Sequence, residues 1–316
     1  MRRLCTYFDG RYAPRALLML RSLCEVGEDV EVWVLGLDER ALALAPHAPP
    51  PVRFAALPEL LSANPELAAA HASPGPERGW LMTIKPAWLA FVLDRTPIGE
   101  HLTYVDADMM FLESPAAAID EGAQASIVLS PQRFTVGPAP ELFWGRFNAG
   151  WLGLRHDATA RAFLDAWQRD CMGRISPRYS NQKFLDHASS LYPDVCVLRH
   201  PGVNLAHWNV GGVTLAESEG RVLVDGRPLI SYHMAGLFPL VFGRCATGVT
   251  GRVLRGVLAD RVYAPYLRRL RSIAEELGMA PVETLDRVNW PERFKDRWLH
   301  RVALGLGWVR GDAVRF

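Results

Sequence analysis

Two carboxylates one residue apart, Asp106 and Asp108, are the side chains of this sequence best suited to chemistry. They directly follow the apolar run His101–Val105, which predicts a strand. If strand geometry persists through Asp108, both carboxylates point to the same face of the sheet, because side chains of a strand alternate between its two faces. Neighbouring carboxylates repel each other unless a cation or a donor lies between them. A hard divalent cation would relieve the repulsion and keep positions open for a diphosphate. The alternative is a turn with solvated acids.

His233, at the end of another predicted strand, is the side chain best suited to complete this cation site. Neutral imidazole is a natural further ligand beside two carboxylates, and Gly236 permits close approach of the backbone. The alternative is a histidine satisfied inside the core. Asn148 can donate to and accept from sugar hydroxyls, or it simply ends a strand. Gly150 lets a ligand lie against its strand.

Three further side chains suit a bound nucleotide or sugar. Lys85, at a predicted helix start, could reach a phosphate or a sugar hydroxyl, with a solvated surface lysine as the alternative. Gln182 could hydrogen-bond a bound ligand, or lie on a helix surface. Trp208 could close over a sugar or base, or pack in a pocket wall.

The elements that must position these residues alternate between short apolar runs and helical patterns. This alternation predicts an α/β fold with a mostly parallel sheet, whose ligand-binding edge lies at the carboxyl ends of the strands. The predicted strands are Leu4–Phe8, Val30–Leu37, Val52–Leu57, His101–Val105, Ser126–Leu129, Phe147–Leu154, Val195–Leu198 and Leu229–Tyr232. The predicted helices are Pro14–Cys24, Met82–Leu93, Asp157–Met172, Asn181–Leu191 and residues 257–277. We also predict a loop over residues 71–79 and a hairpin of Val213–Leu215 with Arg221–Val224.

Taken in order, these segments resemble the family-eight-like branch of the GT-A glycosyltransferases, which includes glycogenin and lipopolysaccharide galactosyltransferases, and related bacterial nucleotide-diphospho-sugar transferases. The resemblance spans roughly residues 4–240. Tyr104–Phe111 is similar to the metal-binding DxD segment of that fold, and His233-Met234-Ala235-Gly236 is similar to its HxxG element. The other matching segments are Thr6-Tyr7-Phe8-Asp9 with Tyr12, Trp80–Pro86, Phe147-Asn148-Ala149-Gly150, Asn181–Asp186 and Asn204–Asn209.

The resemblance implies a metal-dependent transfer of a sugar from a nucleoside diphosphate sugar, with a UDP-sugar favoured, to a saccharide or lipid-linked acceptor. Mn²⁺ or Mg²⁺ would be held by Asp106, Asp108 and His233. Bacterial envelope polysaccharide synthesis would be the setting. Catalytic roles are implied for Asp106, Asp108, Asn181 and Gln182. Donor contacts are implied for Thr6, Tyr7, Phe8, Asp9, Tyr12, Lys85, Asp106, Ala107, Asn148, Gly150, Trp208 and Gly236. We expect the catalytic domain to span residues 1–250 and a helical extension to span 251–316.

Two positions depart from the family pattern. Asn181 replaces the aspartate of the usual Asp-Gln pair, and no lysine follows the HxxG element, since the chain continues Leu237-Phe238-Pro239. Arg244 is a candidate substitute for that lysine. Asp186 and Asp9 are candidate general bases, and the stereochemical course stays open.

Two other functions stay open beside sugar transfer. A sugar nucleotidyltransferase should carry a Gly-rich loop with Arg and Lys after its first strand, and the segment Asp9–Pro14 does not fit that pattern. A non-catalytic protein that binds nucleotide-sugars is compatible with Asn181 and the absent lysine.

The composition indicates which partners and which cellular location to expect. A net charge of +1 argues against a nucleic-acid partner. The five cysteines are scattered without a CxxC pair, which argues against a zinc ribbon and favours a cytoplasmic protein. Residues 290–308 mix cations with aromatic side chains. This segment predicts either peripheral contact with the inner face of the cell membrane or an amphipathic helix docked on the core.

Overall fold

A seven-stranded sheet forms the centre of the computed structural model, in the order β3-β2-β1-β4-β7-β6-β8. The structure describes residues 1–27, 29–72, 77–135, 139–174, 181–239, 245–246 and 255–280. Its strands are β1 Arg2–Phe8, β2 Val30–Gly36, β3 Val52–Ala56, β4 His101–Val105, β5 Met109–Phe111, β6 Ile127–Pro131, β7 Phe147–Arg155, β8 Val195–Val197, β9 Leu205–Ala206, β10 Leu215–Ser218, β11 Arg221–Val224, β12 Arg227–Pro228, β13 Ser231–His233, β14 Phe238–Pro239 and β15 Cys245–Ala246.

The helices flank this sheet. They are α1 Ala13–Glu25, α2 Glu39–Leu42, α3 Leu57–Ala63, α4 Pro65–Ala72, α5 Glu77–Leu93, α6 Ala116–Glu121, α7 Ala139–Trp144, α8 Ala158–Gly173, α9 Ala188–Leu191 and α10 Ala264–Glu276. Short 3-10 helices cover Ala45–His47, Asn181–His187 and Val210–Gly212, and a π-helix covers Leu258–Tyr263.

The sheet is parallel except at one strand, which confirms the predicted mostly parallel α/β fold. Strands β1 to β4 run parallel to one another, and β6 runs parallel to β8. Only β7 is antiparallel to its neighbours β4 and β6 within this sheet as described. As a result β4 and β6 end at the same edge, and β7 begins there with Phe147 and Asn148.

A small second sheet, β5-β13-β9, lies at this edge. β5 follows the Asp106–Asp108 turn and pairs antiparallel with β13, which places His233 opposite Met109. On its other side β13 runs parallel to β9, with His233 opposite Ala206. This register brings the end of the chain's last predicted strand beside the two acids, although more than a hundred residues separate them in sequence.

Two apolar clusters fill the space between the central sheet and its helices. On one face, α1 and α10 contribute buried side chains such as Leu17, Leu20 and Leu270. On the other face, α5 and α8 contribute Trp88 and Trp167. The described part of residues 251–316 therefore packs on α1 in the main core. No helix among the described residues has the length and apolar character needed to cross a membrane.

Several predicted boundaries are wrong. The predicted loop 71–79 is shorter, because α4 runs through Ala72 and α5 already begins at Glu77; alanine and leucine favour the helix there. The predicted helix 257–277 is a π-helix followed by α10, with Pro265 in the first turn of α10. The first hairpin strand is Leu215–Ser218, two residues later than predicted. The segment 290–308 lies outside the described residues.

The predicted continuous helix Asn181–Leu191 is also wrong. The chain forms a 3-10 helix over Asn181–His187 and only then the short α9. The carbonyl of Asn181 accepts a hydrogen bond from Trp167 Nε1 at 2.9 Å, and its side chain donates to the carbonyl of Met82 at 3.1 Å. These two contacts tie the segment to α8 and α5, and such tertiary bonds override a local helical pattern.

Candidate metal centre

The two predicted acids lie in a turn at the carboxyl end of β4. The Asp106 N–H donates to the carbonyl of Gly150 at 2.9 Å, so Asp106 still pairs with β7. The Met109 N–H donates back to the carbonyl of Asp106 at 3.3 Å, which closes the turn. Strand alternation therefore does not extend through Asp108, and the chain reversal is what brings the carboxylates together.

Asp106, Asp108 and His233 converge in the way the sequence predicts. Nε2 of His233 lies 3.1 Å from Asp108 Oδ1 and 3.8 Å from Asp106 Oδ2. One ligand atom from each residue lies within 4.8 Å of the others, and Asp108 and His233 are buried. Bonds of about 2.1 Å to an octahedral cation set neighbouring ligand atoms about 3 Å apart. The three residues therefore fit one divalent cation.

Asn204 fixes the tautomer of His233. Nδ1 of the imidazole lies 3.0 Å from the side-chain oxygen of Asn204 and donates its proton there, so Nε2 is the nitrogen that can ligate a cation when the imidazole is neutral. The amide of Asn204 in turn donates to Asn148 Oδ1 at 3.0 Å and to Ser130 Oγ at 3.2 Å. Asn204 adopts a φ of 54°, a left-handed conformation that asparagine tolerates. This network presents Nε2 to the cation site.

Gly150 has a different role from the one the sequence suggests. A Cβ at this position would lie 2.8 Å from Asp106 Oδ2, 2.8 Å from His233 Cε1 and 2.6 Å from Asn148 Oδ1. The absent side chain thus makes room for the protein's own ligating groups. Asn148 is engaged as well, since its oxygen accepts from the Gly150 N–H at 2.8 Å and its amide donates to Gln132.

Lys85 is buried at the centre rather than solvated on the surface. Its Nζ donates to Asp106 Oδ1 and to the carbonyl of Ala149, both at 2.9 Å, and lies 4.3 Å from the centre of the Tyr104 ring. The Tyr104 hydroxyl also donates to Asp106 Oδ1 at 2.7 Å. Burial, together with the charge of Asp106, raises the pKa of Tyr104 and of Tyr7 well above the usual range. Both phenols therefore stay protonated.

The other residues predicted on β1 and in its loop are divided between core and surface. The side chains of Thr6 and Phe8 are buried. Asp9 binds the guanidinium of Arg11 within its own turn, at 2.9 Å to Nε. Tyr12 is partly exposed, and the Arg15 guanidinium lies 5.3 Å from the centre of its ring.

Two predicted catalytic residues and one candidate base serve local structure. Asn181 bridges α5 and α8, as described above, and Gln182 donates to the carbonyl of Trp144 at 2.8 Å. Asp186 accepts from the Arg146 N–H at 2.7 Å. Among the described residues, none of these hydrogen bonds involves Asp106, Asp108 or His233. Arg244 falls outside the described residues.

Trp208 lies beside His233, and Gly236 lies beside His207. The Trp208 ring lies edge-on to His233, with ring centres 5.2 Å apart, and its Nε1 donates to the carbonyl of Gln132 at 3.1 Å. Gly236 has a φ of +79°, and a Cβ there would lie 3.0 Å from His207. Trp208 therefore packs as a wall against His233.

The sequence did not lead us to predict Arg15 as a site residue, and it gave Asn204 no role of its own. Arg15 lies in the first turn of α1, with Nη1 3.8 Å from Asp108 Oδ2. The sequence feature that could have identified Arg15 is its position on the same helical face as Leu18 and Met19, because a charged residue is unexpected on an apolar face. The feature that could have identified Asn204 is its amide side chain between two apolar residues, Val203 and Leu205.

Proton competition at His233 predicts a pH dependence of cation binding. Burial opposes protonation of His233, but the carboxylates of Asp108 and Asp106 together outweigh burial and raise the imidazole pKa above its ordinary value of 6.5. For Asp108, burial is outweighed by His233 and Arg15, which hold its pKa below the ordinary range, so Asp108 stays ionised. An imidazolium cannot ligate a cation. Affinity for Mn²⁺ should therefore fall about tenfold per pH unit below the His233 pKa.

Titration calorimetry between pH about 6 and about 8 measures this dependence. His233→Gln should bind Mn²⁺ weakly with a much flatter pH profile. A wild-type profile as flat as that of the variant would contradict a role for His233 as ligand.

The comparisons with known proteins agree with this architecture. No family model matches the chain. The uncharacterized protein YfnD of Bacillus subtilis is 30% identical over 277 residues, which cover 83% of this chain and 86% of YfnD. YfnF of the same organism is 28% identical over 246 residues, covering 73% of this chain and 80% of YfnF.

Among solved structures, the galactosyltransferase LgtC in complex with donor and acceptor sugar analogs is similar. Its TM-score is 0.52 at 15% identity, with 93% of this chain and 99% of LgtC covered. The chain thus belongs to the same family as YfnD, and it has the GT-A fold of family-eight glycosyltransferases.

Proposed function

We propose that this protein is a glycosyltransferase that moves a sugar from a nucleoside diphosphate sugar, with a UDP-sugar favoured, to a saccharide or lipid-linked acceptor. The observation that carries the proposal is the convergence of Asp106 Oδ2, Asp108 Oδ1 and His233 Nε2 at the carboxyl end of β4. In an open α/β sheet this edge is where ligands bind. A similar fold in LgtC was solved with donor and acceptor sugar analogs, which supports the substrate class.

Asp106, Asp108 and His233 would hold Mn²⁺ or Mg²⁺. When bound, such an ion neutralises charge on the departing diphosphate as the glycosidic bond breaks. The protein's own groups prepare the site: Asn204 orients the imidazole, and Tyr104 with Lys85 holds Asp106. Residues 1–250 would form the catalytic domain and residues 251–316 its extension.

An exposed apolar surface on α7 supports an acceptor with an apolar portion. Leu142 and Phe143 are 71% and 74% exposed, and Trp144 is partly exposed beside them. α7 connects β6 to β7 at the edge where Asp106 lies. A lipid-linked acceptor in envelope polysaccharide synthesis, met at the inner face of the cell membrane, would suit this placement.

Release of UDP tests the proposal. The metal-free protein is incubated with a panel of UDP-sugars, alone and with saccharide acceptors, with and without Mn²⁺. We expect release with at least one donor, reduced at least about 100-fold by removal of the metal and restored by Mn²⁺ or Mg²⁺. Tight Mn²⁺-dependent binding of UDP without turnover of any donor would favour the non-catalytic binding protein. Release of pyrophosphate from a nucleoside triphosphate and a sugar phosphate would instead indicate a nucleotidyltransferase.

A further inference from the structure

The two acids of the metal centre each present one oxygen to His233 and the other to a buried cation. Asp106 directs Oδ2 toward His233 and Oδ1 to Lys85 Nζ at 2.9 Å. Asp108 directs Oδ1 toward His233, while its Oδ2 lies 3.8 Å from Arg15 Nη1. Each carboxylate therefore has a buried positive charge beside the oxygen that is turned away from His233.

Both cations are placed where ordinary folding forces do not favour them. Arg15 is 1% exposed and Lys85 is 6% exposed, and buried charges are costly unless they are paired. Arg15 also lies in the first turn of α1, where the helix dipole disfavours a positive charge. The nearby carboxylate of Asp108 offsets this cost. Such a placement is expected when the charge serves the centre rather than the stability of the helix.

The charges of these four side chains cancel. Asp106 and Asp108 carry two negative charges, and Lys85 and Arg15 carry two positive charges, while a ligating His233 is neutral. A divalent cation that enters alone leaves two uncompensated positive charges in a largely buried site, which is unfavourable. The diphosphate of a nucleotide-sugar carries an ionised oxygen on each phosphorus, which matches the two charges of the cation.

We propose that Arg15 is a positioning residue which, together with Lys85, balances the charges of Asp106 and Asp108, so that the divalent cation binds tightly only together with the nucleoside diphosphate. This inference rests on the proposed function, because it assumes that a nucleotide occupies the same edge. Because Arg15 is buried beside Asp108, it acts through Asp108 and the cation.

Calorimetry with Mn²⁺ and UDP tests the coupling on the full chain, freed of metal. For the wild type we expect Mn²⁺ to bind about 100-fold more tightly in the presence of saturating UDP. In Arg15→Met the centre gains a net negative charge, so Mn²⁺ alone should bind about tenfold more tightly and the enhancement by UDP should shrink about tenfold. Arg15→Lys should restore the wild-type behaviour, because it restores the charge.

Arg21→Met is the matched control, since Arg21 lies on the same helix but pairs at the surface with Glu276. It should leave the coupling unchanged. If Arg15→Met does not fold, as judged by circular dichroism, Lys85→Met tests the same charge balance. The inference is overturned if wild type binds Mn²⁺ equally tightly with and without UDP. It is also overturned if Arg15→Met weakens both affinities equally, because Arg15 then only supports Asp108 sterically. A protein that binds no UDP at any Mn²⁺ concentration would instead refute the proposed function itself.

Discussion

Asp108→Ala is expected to lower metal-dependent UDP release by about 1000-fold. Asp108 is the buried ligand nearest His233, at 3.1 Å, and no neighbouring carboxylate among the described residues replaces it. Removal of this side chain also leaves the Arg15 charge without its counter-ion in the buried first turn of α1. Initial rates with the best donor of the panel, at saturating Mn²⁺, measure the effect.

Asp94→Ala is the matched control for this variant. Asp94 directly follows α5 and forms an exposed ion pair with Arg161 of α8, away from the three predicted ligands in the chain's contacts. Exposed pairs contribute little to stability, so this variant should keep the wild-type rate. An Asp108→Ala protein that folds and retains a tenth or more of the rate would contradict the assignment of Asp108 as a ligand.

Gly150→Ala should abolish tight cation binding although alanine is neither charged nor large. The added methyl group would lie 2.8 Å from both Asp106 Oδ2 and His233 Cε1, closer than such contacts occur. One of these two ligands must move, because Gly150 lies inside β7 and is paired with Asp106 through the backbone. We expect affinity for Mn²⁺ to fall at least about 100-fold, with a lowered melting temperature.

Gly173→Ala provides the comparison, since a Cβ at the end of α8 would meet no other atom within 4 Å. This variant should bind Mn²⁺ as the wild type does and be equally or more stable. Unchanged Mn²⁺ affinity in Gly150→Ala would show that the cation does not lie between Asp106 and His233.

The amino-acid sequence by itself determined the positions of the main strands and the identity of the predicted metal ligands. Apolar runs of strand length predicted β1, β2, β4 and β7 within one or two residues, because burial on both faces of a sheet leaves a plain apolar signal. The same pattern placed Asp106 directly after β4, and parallel topology then placed it at the ligand-binding edge. The metal ligands were predicted from motif order and from the chemistry of carboxylate and imidazole.

Only the tertiary structure decided how these groups are arranged. Which carboxylate oxygen faces His233, and which faces Lys85 or Arg15, depends on the register of β13 against β5 and on the turn after β4. The role of Gly150 depends on three side chains from distant segments meeting above one strand. The contacts of Asn181, predicted as catalytic, with Trp167 of α8 and Met82 of α5 are likewise tertiary. Side-chain contacts between segments far apart in the chain leave no periodic signal, and so they could not be predicted from sequence.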